Sequence, residues 1–140
     1  MKEKIKKEVN EWYLAATYWL TVIVVPFALV FLFGMLTVSF FGVENITGLM
    51  IISYVIYILG LWLGVKYASN YLDKNYIVKD KNRLIKLSTL YLFVVGLVIR
   101  LYEATEGINA IYIIDLLFFF VLVTLFYFFS KKYLKNNFIN

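Results

Sequence analysis

Apolar residues along this chain gather into four long stretches, and charge is concentrated in the connections between them. The stretches cover about residues 12–43, 48–68, 84–101 and 108–129. None alternates as a strand would. A crossing helix needs about 20 apolar residues to span ~30 Å of hydrocarbon, and the last three stretches are each close to one such length. Lipid cannot satisfy the backbone of an open strand, and a barrel would show short alternating segments instead. The pattern predicts an all-α membrane protein with four transmembrane helices.

The first stretch is too long for one perpendicular crossing, since its 32 residues would extend about 48 Å as a helix. It is too short for two crossings and a loop. One tilted or bent helix is predicted. Pro26 lies near its middle, where a missing backbone donor and a clash with the preceding turn predict a kink. The stretch also exceeds the 7–15 apolar residues of a signal-peptide core, so it reads as a retained anchor. Ahead of it, Ile5, Val9 and Trp12 fall at helical spacing among Lys and Glu. That pattern fits a short amphipathic helix over residues 1–11 lying on the membrane surface, or a charged extension of helix one.

Composition supports the membrane reading. The chain is 63% hydrophobic over 140 residues, against the roughly 45–50% of soluble domains. So small a domain cannot hide that excess inside itself. One membrane domain, 1–140, is expected. Cysteine and histidine are both absent, which removes disulfides, thiol nucleophiles and imidazole bases. With no Gly-rich phosphate loop or nucleophile elbow either, no catalytic residue, metal site or cofactor is expected. An abundance of Ile, Lys, Asn, Tyr and Phe fits an AT-rich prokaryotic genome, and so a prokaryotic plasma membrane.

Charge placement predicts orientation. Lys2, Lys4, Lys6 and Lys7 precede the first stretch. Lys66, Lys74, Lys79, Lys81, Arg83 and Lys86 surround the junction of the second and third, and Lys131, Lys132 and Lys135 follow the fourth. These are thirteen of the fourteen basic residues. The other two connections carry Glu44, Glu103 and Glu106, with only Arg100 beside them. Four crossings put every basic region on one side, and the positive-inside rule makes that side cytoplasmic. Both termini are then cytoplasmic, with a cytoplasmic loop at about 69–83. Its basic residues and tyrosines match no nucleic-acid module, so topogenesis accounts for them and no nucleic-acid partner is expected. Trp12, Trp19 and Trp62 fall in the cytoplasmic halves of their helices, as an interfacial aromatic belt would. Lys66 is placed to snorkel to the headgroups.

Two groups of residues stand out within the helices. Gly60, Gly64 and Ala68 recur every four residues on one face of helix two, which predicts close helix packing. The face serves either an internal seam with helix one or three, or homodimerisation. The second group is polar. Asp115 lies within apolar residues about seven positions into helix four, where a carboxylate must be paired, hydrated or protonated. Arg100 is its natural partner, unless that side chain turns outward to Glu103. Asn109 and Tyr112 are close enough to join the same site. Thr37, Ser39, Ser53, Tyr54 and Tyr57 either line a polar cavity with them or make ordinary interhelical hydrogen bonds.

The size and four helices resemble those of the small multidrug resistance transporters. Their hallmark is a membrane-embedded glutamate in the first helix. No charged residue falls between Trp12 and Val43, so the resemblance is architectural and implies no shared substrate. Two functions follow from the residues themselves. The first is a non-enzymatic membrane interaction or accessory protein, working in the lipid bilayer with a partner membrane protein or as a homo-oligomer. The alternative is a small oligomeric transporter or channel using Asp115 paired with Arg100.

Overall fold

A computed structural model describes residues 7–41 and 46–135. It contains four helices, α1 (Glu11–Phe41), α2 (Ile46–Asn75), α3 (Lys81–Ala104) and α4 (Ala110–Lys135). Each is long and apolar enough to cross a membrane, consistent with a multi-pass membrane protein. Helix α1 runs through Pro26 as one element. The first six residues of the expected amphipathic segment lie outside the described residues, as do Glu44 and the end of the first stretch at 42–43. Over residues 7–10 the chain is not helical. Lys7 instead bridges in parallel to Tyr76, with hydrogen bonds from Lys7 N to Asn75 O (2.9 Å) and from Ile77 N to Lys7 O (3.1 Å). Asn10 then caps α1 by accepting from Trp12 N at 3.0 Å, satisfying one of the free donors of the first turn.

The connection expected at 69–83 is much shorter, because α2 continues to Asn75 and α3 begins at Lys81. Apolarity ends near Ala68, but helical packing does not. Ala68, Ser69 and Leu72 are all buried, so the inward face of α2 extends about one turn past the point where its outward face turns polar. Asp80 closes the link by accepting from Arg83 N at 3.0 Å as the N-cap of α3.

Helix α2 packs on α1 and α4, and α3 packs on the same two helices. The order around the bundle is therefore α1–α2–α4–α3, with the 76–80 link crossing between opposite corners. The α1–α2 contact is the most extensive, and glycine makes it close. A side chain at Gly60 would meet Pro26 Cα at 2.5 Å, and one at Gly64 would meet the Val22 carbonyl oxygen at 2.4 Å. The internal seam predicted for this face thus forms with α1. Pro26 has no N–H, so the carbonyl four residues earlier, that of Val22, lacks its helical donor. Gly64 presents its Cα hydrogens at that oxygen, a weak but recurrent contact between close helices.

Buried side chains are distributed unevenly along the bundle axis. Leu14, Tyr18 and Val22 of α1 meet Leu61, Val65 and Leu72 of α2, Leu84 and Ile85 of α3, and Phe126 and Leu134 of α4. All belong to the half of the bundle nearest the lysine-rich end. Beyond the level of Pro26 and Gly60, Phe119 is the one buried hydrophobic side chain among the described residues. Its ring occupies the space that a side chain at Gly96 would need, 2.1 Å from that Cβ position. The basic half is also tied by polar contacts. Tyr18 donates to Ser130 Oγ at 3.0 Å and lies 3.4 Å from Ser69 Oγ. Trp62 Nε1 donates to the Tyr133 hydroxyl at 2.7 Å, and Lys81 Nζ to the Leu134 carbonyl at 2.6 Å.

Candidate functional site: a cavity in the far half of the bundle

Where the core ends, a cavity of about 450 Å³ begins. All four helices contribute to its wall, including Trp19 and Phe27 of α1, Tyr54 and Tyr57 of α2, Leu92 and Ile99 of α3, and Phe118 and Leu122 of α4. Phe27 and Ile99 are 60% and 51% exposed while also lining it, so the cavity opens on the side between α1 and α3. The volume falls within the ~300–1,000 Å³ of small-molecule sites. The wall is largely apolar, with Ser53, Tyr54, Arg100 and Glu103 converging at one end and the buried indole N–H of Trp19 at the other.

Helical spacing fixes that polar end. Arg100 and Glu103 are three residues apart in the last turns of α3, so they share a face. Arg100 Nη1 donates to Glu103 Oε2 at 2.5 Å. Of the two partners open to Arg100 in sequence, the structure selects Glu103. Asp115 instead accepts a hydrogen bond from the Tyr54 hydroxyl across the bundle from α2. The Tyr54 ring is held by stacking on Phe118, with ring centroids 4.2 Å apart, and Phe118 in turn meets Tyr57 edge-on at 6.4 Å. Asp115 is thus satisfied by a neutral donor next to the cavity, and Tyr54 presents the pair to the wall.

The remaining candidates divide. Tyr112 does join the cluster, because its hydroxyl donates to the Arg100 carbonyl at 3.2 Å and holds α4 against the end of α3. Asn109 does not face the cavity: it caps α4, accepting from Tyr112 N at 2.8 Å. Thr37, Ser39 and Ser53 donate to the carbonyls of Phe33, Met35 and Leu49 four residues back, the usual way a hydroxyl is satisfied inside an apolar helix. Ser53 nevertheless lines the cavity. The Lys66 ammonium lies 5.7 Å from the centre of the Trp62 ring, a cation–π contact outside the site.

The buried node of Tyr18, Ser69 and Ser130 was not foreseeable as a group. Its residues come from three helices, and each alone reads as an unremarkable small or aromatic polar residue near the end of an apolar stretch. No family model, curated protein or solved structure matches this chain.

Proposed function

We propose that this chain is a multi-pass protein of a prokaryotic plasma membrane, with both termini cytoplasmic, that acts by holding a membrane partner and not by catalysis. The observation that carries the reading is the asymmetry of the bundle. One half is packed and tied by Tyr18, Trp62 and Lys81. The other surrounds an aromatic cavity that opens between α1 and α3. In lipid, such a cavity recruits an apolar occupant through packing, because lipid tails supply no hydrophobic drive of their own. The lysine-rich end holds the orientation: thirteen of fourteen basic residues fall in the two terminal regions and around the α2–α3 junction, as expected of a cytoplasmic face.

Site-specific photocrosslinking tests the reading. A photoreactive residue at Val95, in the cavity wall, is expected to give one reproducible adduct in native membranes. The same probe at Val24, 63% exposed on the outer face of α1, is expected to give a diffuse mixture. Equal, diffuse labelling at both positions would remove the proposal. Reporter fusions at residues 45, 75, 105 and 140 should read outside, inside, outside, inside.

A second reading, an oligomeric transporter or channel, is favoured by one observation. The Asp115 carboxylate sits inside an apolar helix beside the cavity, hydrogen-bonded to Tyr54, and ionisable groups at such depth commonly serve ion pathways. Flux in proteoliposomes that is lost on Asp115→Asn would establish it in place of the first.

A further inference from the structure

We propose that the cavity holds one acyl chain of a phospholipid from the far leaflet, with a zwitterionic headgroup bearing a primary amine seated on Arg100 and Glu103. The inference rests on the interaction reading above and names the partner as lipid.

Length is the first argument. The α3 wall of the cavity runs from Leu92 to Glu103, eleven helical steps, or about 16 Å along the helix. One leaflet of the hydrocarbon core is about 15 Å deep. The polar residues stand at the end of that run, and Arg100 is within about one turn of the end of α3 at Ala104. A lipid entering with its headgroup at Arg100 therefore lays its chain along the whole apolar wall and ends near Trp19 and Leu61.

Access chooses between lipid and a partner helix. The cavity opens between α1 and α3, which pack on each other, so the gap beside their contact admits a flexible chain and not a helix about 10 Å across. A single long acyl chain fits that space, and its entry needs only the opening between α1 and α3. The aromatic wall suits it too, because Phe27, Tyr57 and Phe118 already pack edge to face, while the buried Trp19 indole N–H, without a partner among the described residues, lies at the end away from Arg100.

Charge chooses the headgroup. The polar end offers one cation, Arg100, already paired with the carboxylate of Glu103. An anionic lipid would meet no second cation there among the described residues and would face that carboxylate. A headgroup carrying both phosphate and ammonium matches both signs: the phosphate takes guanidinium donors of Arg100, which has five, and the ammonium donates to Glu103. A primary amine suits a carboxylate better than a quaternary one, since it offers N–H donors for charge-assisted hydrogen bonds.

The test uses the full chain, stripped of lipid in mild detergent and returned to nanodiscs of equal phosphatidylethanolamine and phosphatidylglycerol. Native mass spectrometry after gentle re-extraction counts what stays bound. One phospholipid per chain is expected, with the amine lipid preferred by about ten-fold, the effect of one charge-assisted contact. Val95→Trp, which fills the cavity, should abolish retention, and Val24→Trp on the outer face should not. Glu103→Gln leaves the apolar wall intact, so it should keep the bound lipid and lose the preference. It reads the headgroup even if Val95→Trp fails to fold. No retained lipid, equal retention of both headgroups, or a preference unchanged in Glu103→Gln would overturn the inference. A discrete protein adduct at Val95 without retained lipid would overturn it and leave the interaction reading standing. Diffuse labelling at Val95 would remove both.

Discussion

A single methyl group placed on Gly64 should loosen the α1–α2 seam measurably. The new Cβ would stand 2.4 Å from the Val22 carbonyl oxygen and 3.3 Å from Val22 Cα. Ordinary Cβ contacts begin nearly 1 Å further out, and the obstacle is backbone, which cannot swing aside. The helices must part by most of that distance. A radial gap of about 0.5–1 Å already forfeits a quarter to a half of each dispersion contact along the seam. Overpacking of this kind costs about 1–3 kcal/mol. Against it stands the gain of about 1 kcal/mol for replacing glycine by alanine within a helix. Gly34→Ala supplies the reference, because no atom lies within 4 Å of its Cβ position and it should show the propensity gain alone. The difference between the two variants isolates the steric cost, and about 1–3 kcal/mol is expected. Gly60→Ala, opposed by Pro26 Cα at 2.5 Å, should cost a similar amount. The double variant should cost less than the sum, since one separation accommodates both methyls. Unfolding in mixed detergent–SDS micelles, followed by tryptophan fluorescence, measures all four. Equal stability of Gly64→Ala and Gly34→Ala would refute the account of the seam.

Other expectations follow from the polar contacts. Tyr18→Phe leaves Ser130 and Ser69 without the buried hydroxyl they share and should cost about 1–2 kcal/mol, in the range of interhelical hydrogen bonds in membranes. A double-mutant cycle of Tyr54→Phe with Asp115→Asn, read by the same unfolding assay, should show coupling of about 0.5–3 kcal/mol; a zero would mean the pair contributes nothing. At the exposed basic end, Lys79 bonds to Glu8 and holds its carboxyl below the ordinary 4.5. The group is ionised whenever the contact is intact. Its stabilising contribution is therefore present above pH 4.5 and lost as pH falls through the lowered folded value. Glu8 correspondingly raises Lys79 above 10.5, so that side of the pair is lost only as pH rises past the raised value. In an NMR titration of the Glu8 carboxyl, Lys79→Ala or added salt should bring the midpoint back toward 4.5.

Much of the helical frame was legible because lipid enforces it. Four apolar stretches gave four helices, and the Gly60, Gly64 and Ala68 spacing marked the face that α1 covers. The ends were less legible. Hydropathy reports where lipid contact stops, whereas the helix stops where its packing does, and for α2 the two differ by seven residues, from Ala68 to Asn75. The cap at Asn109 could have been read from its place ahead of an apolar run. The choice of Glu103 over Asp115 by Arg100 could not. It depends on the rotation of α4 against α3, set where Phe119 fills the space over Gly96. Tyr54 reaches Asp115 from 61 residues away in sequence, a meeting that follows from the order of helices around the bundle and leaves no local trace.

Pro26 and Gly64 carry a consequence for how this sequence can drift. The proline strips Val22 of its helical donor, and the glycine stands where that carbonyl is bare. A lineage that replaced Pro26 with alanine would return a donor to Val22 and weaken one reason for keeping Gly64 small. The clash itself is with the Val22 backbone and stays in either order. Descendants should therefore keep the glycine whether or not they keep the proline.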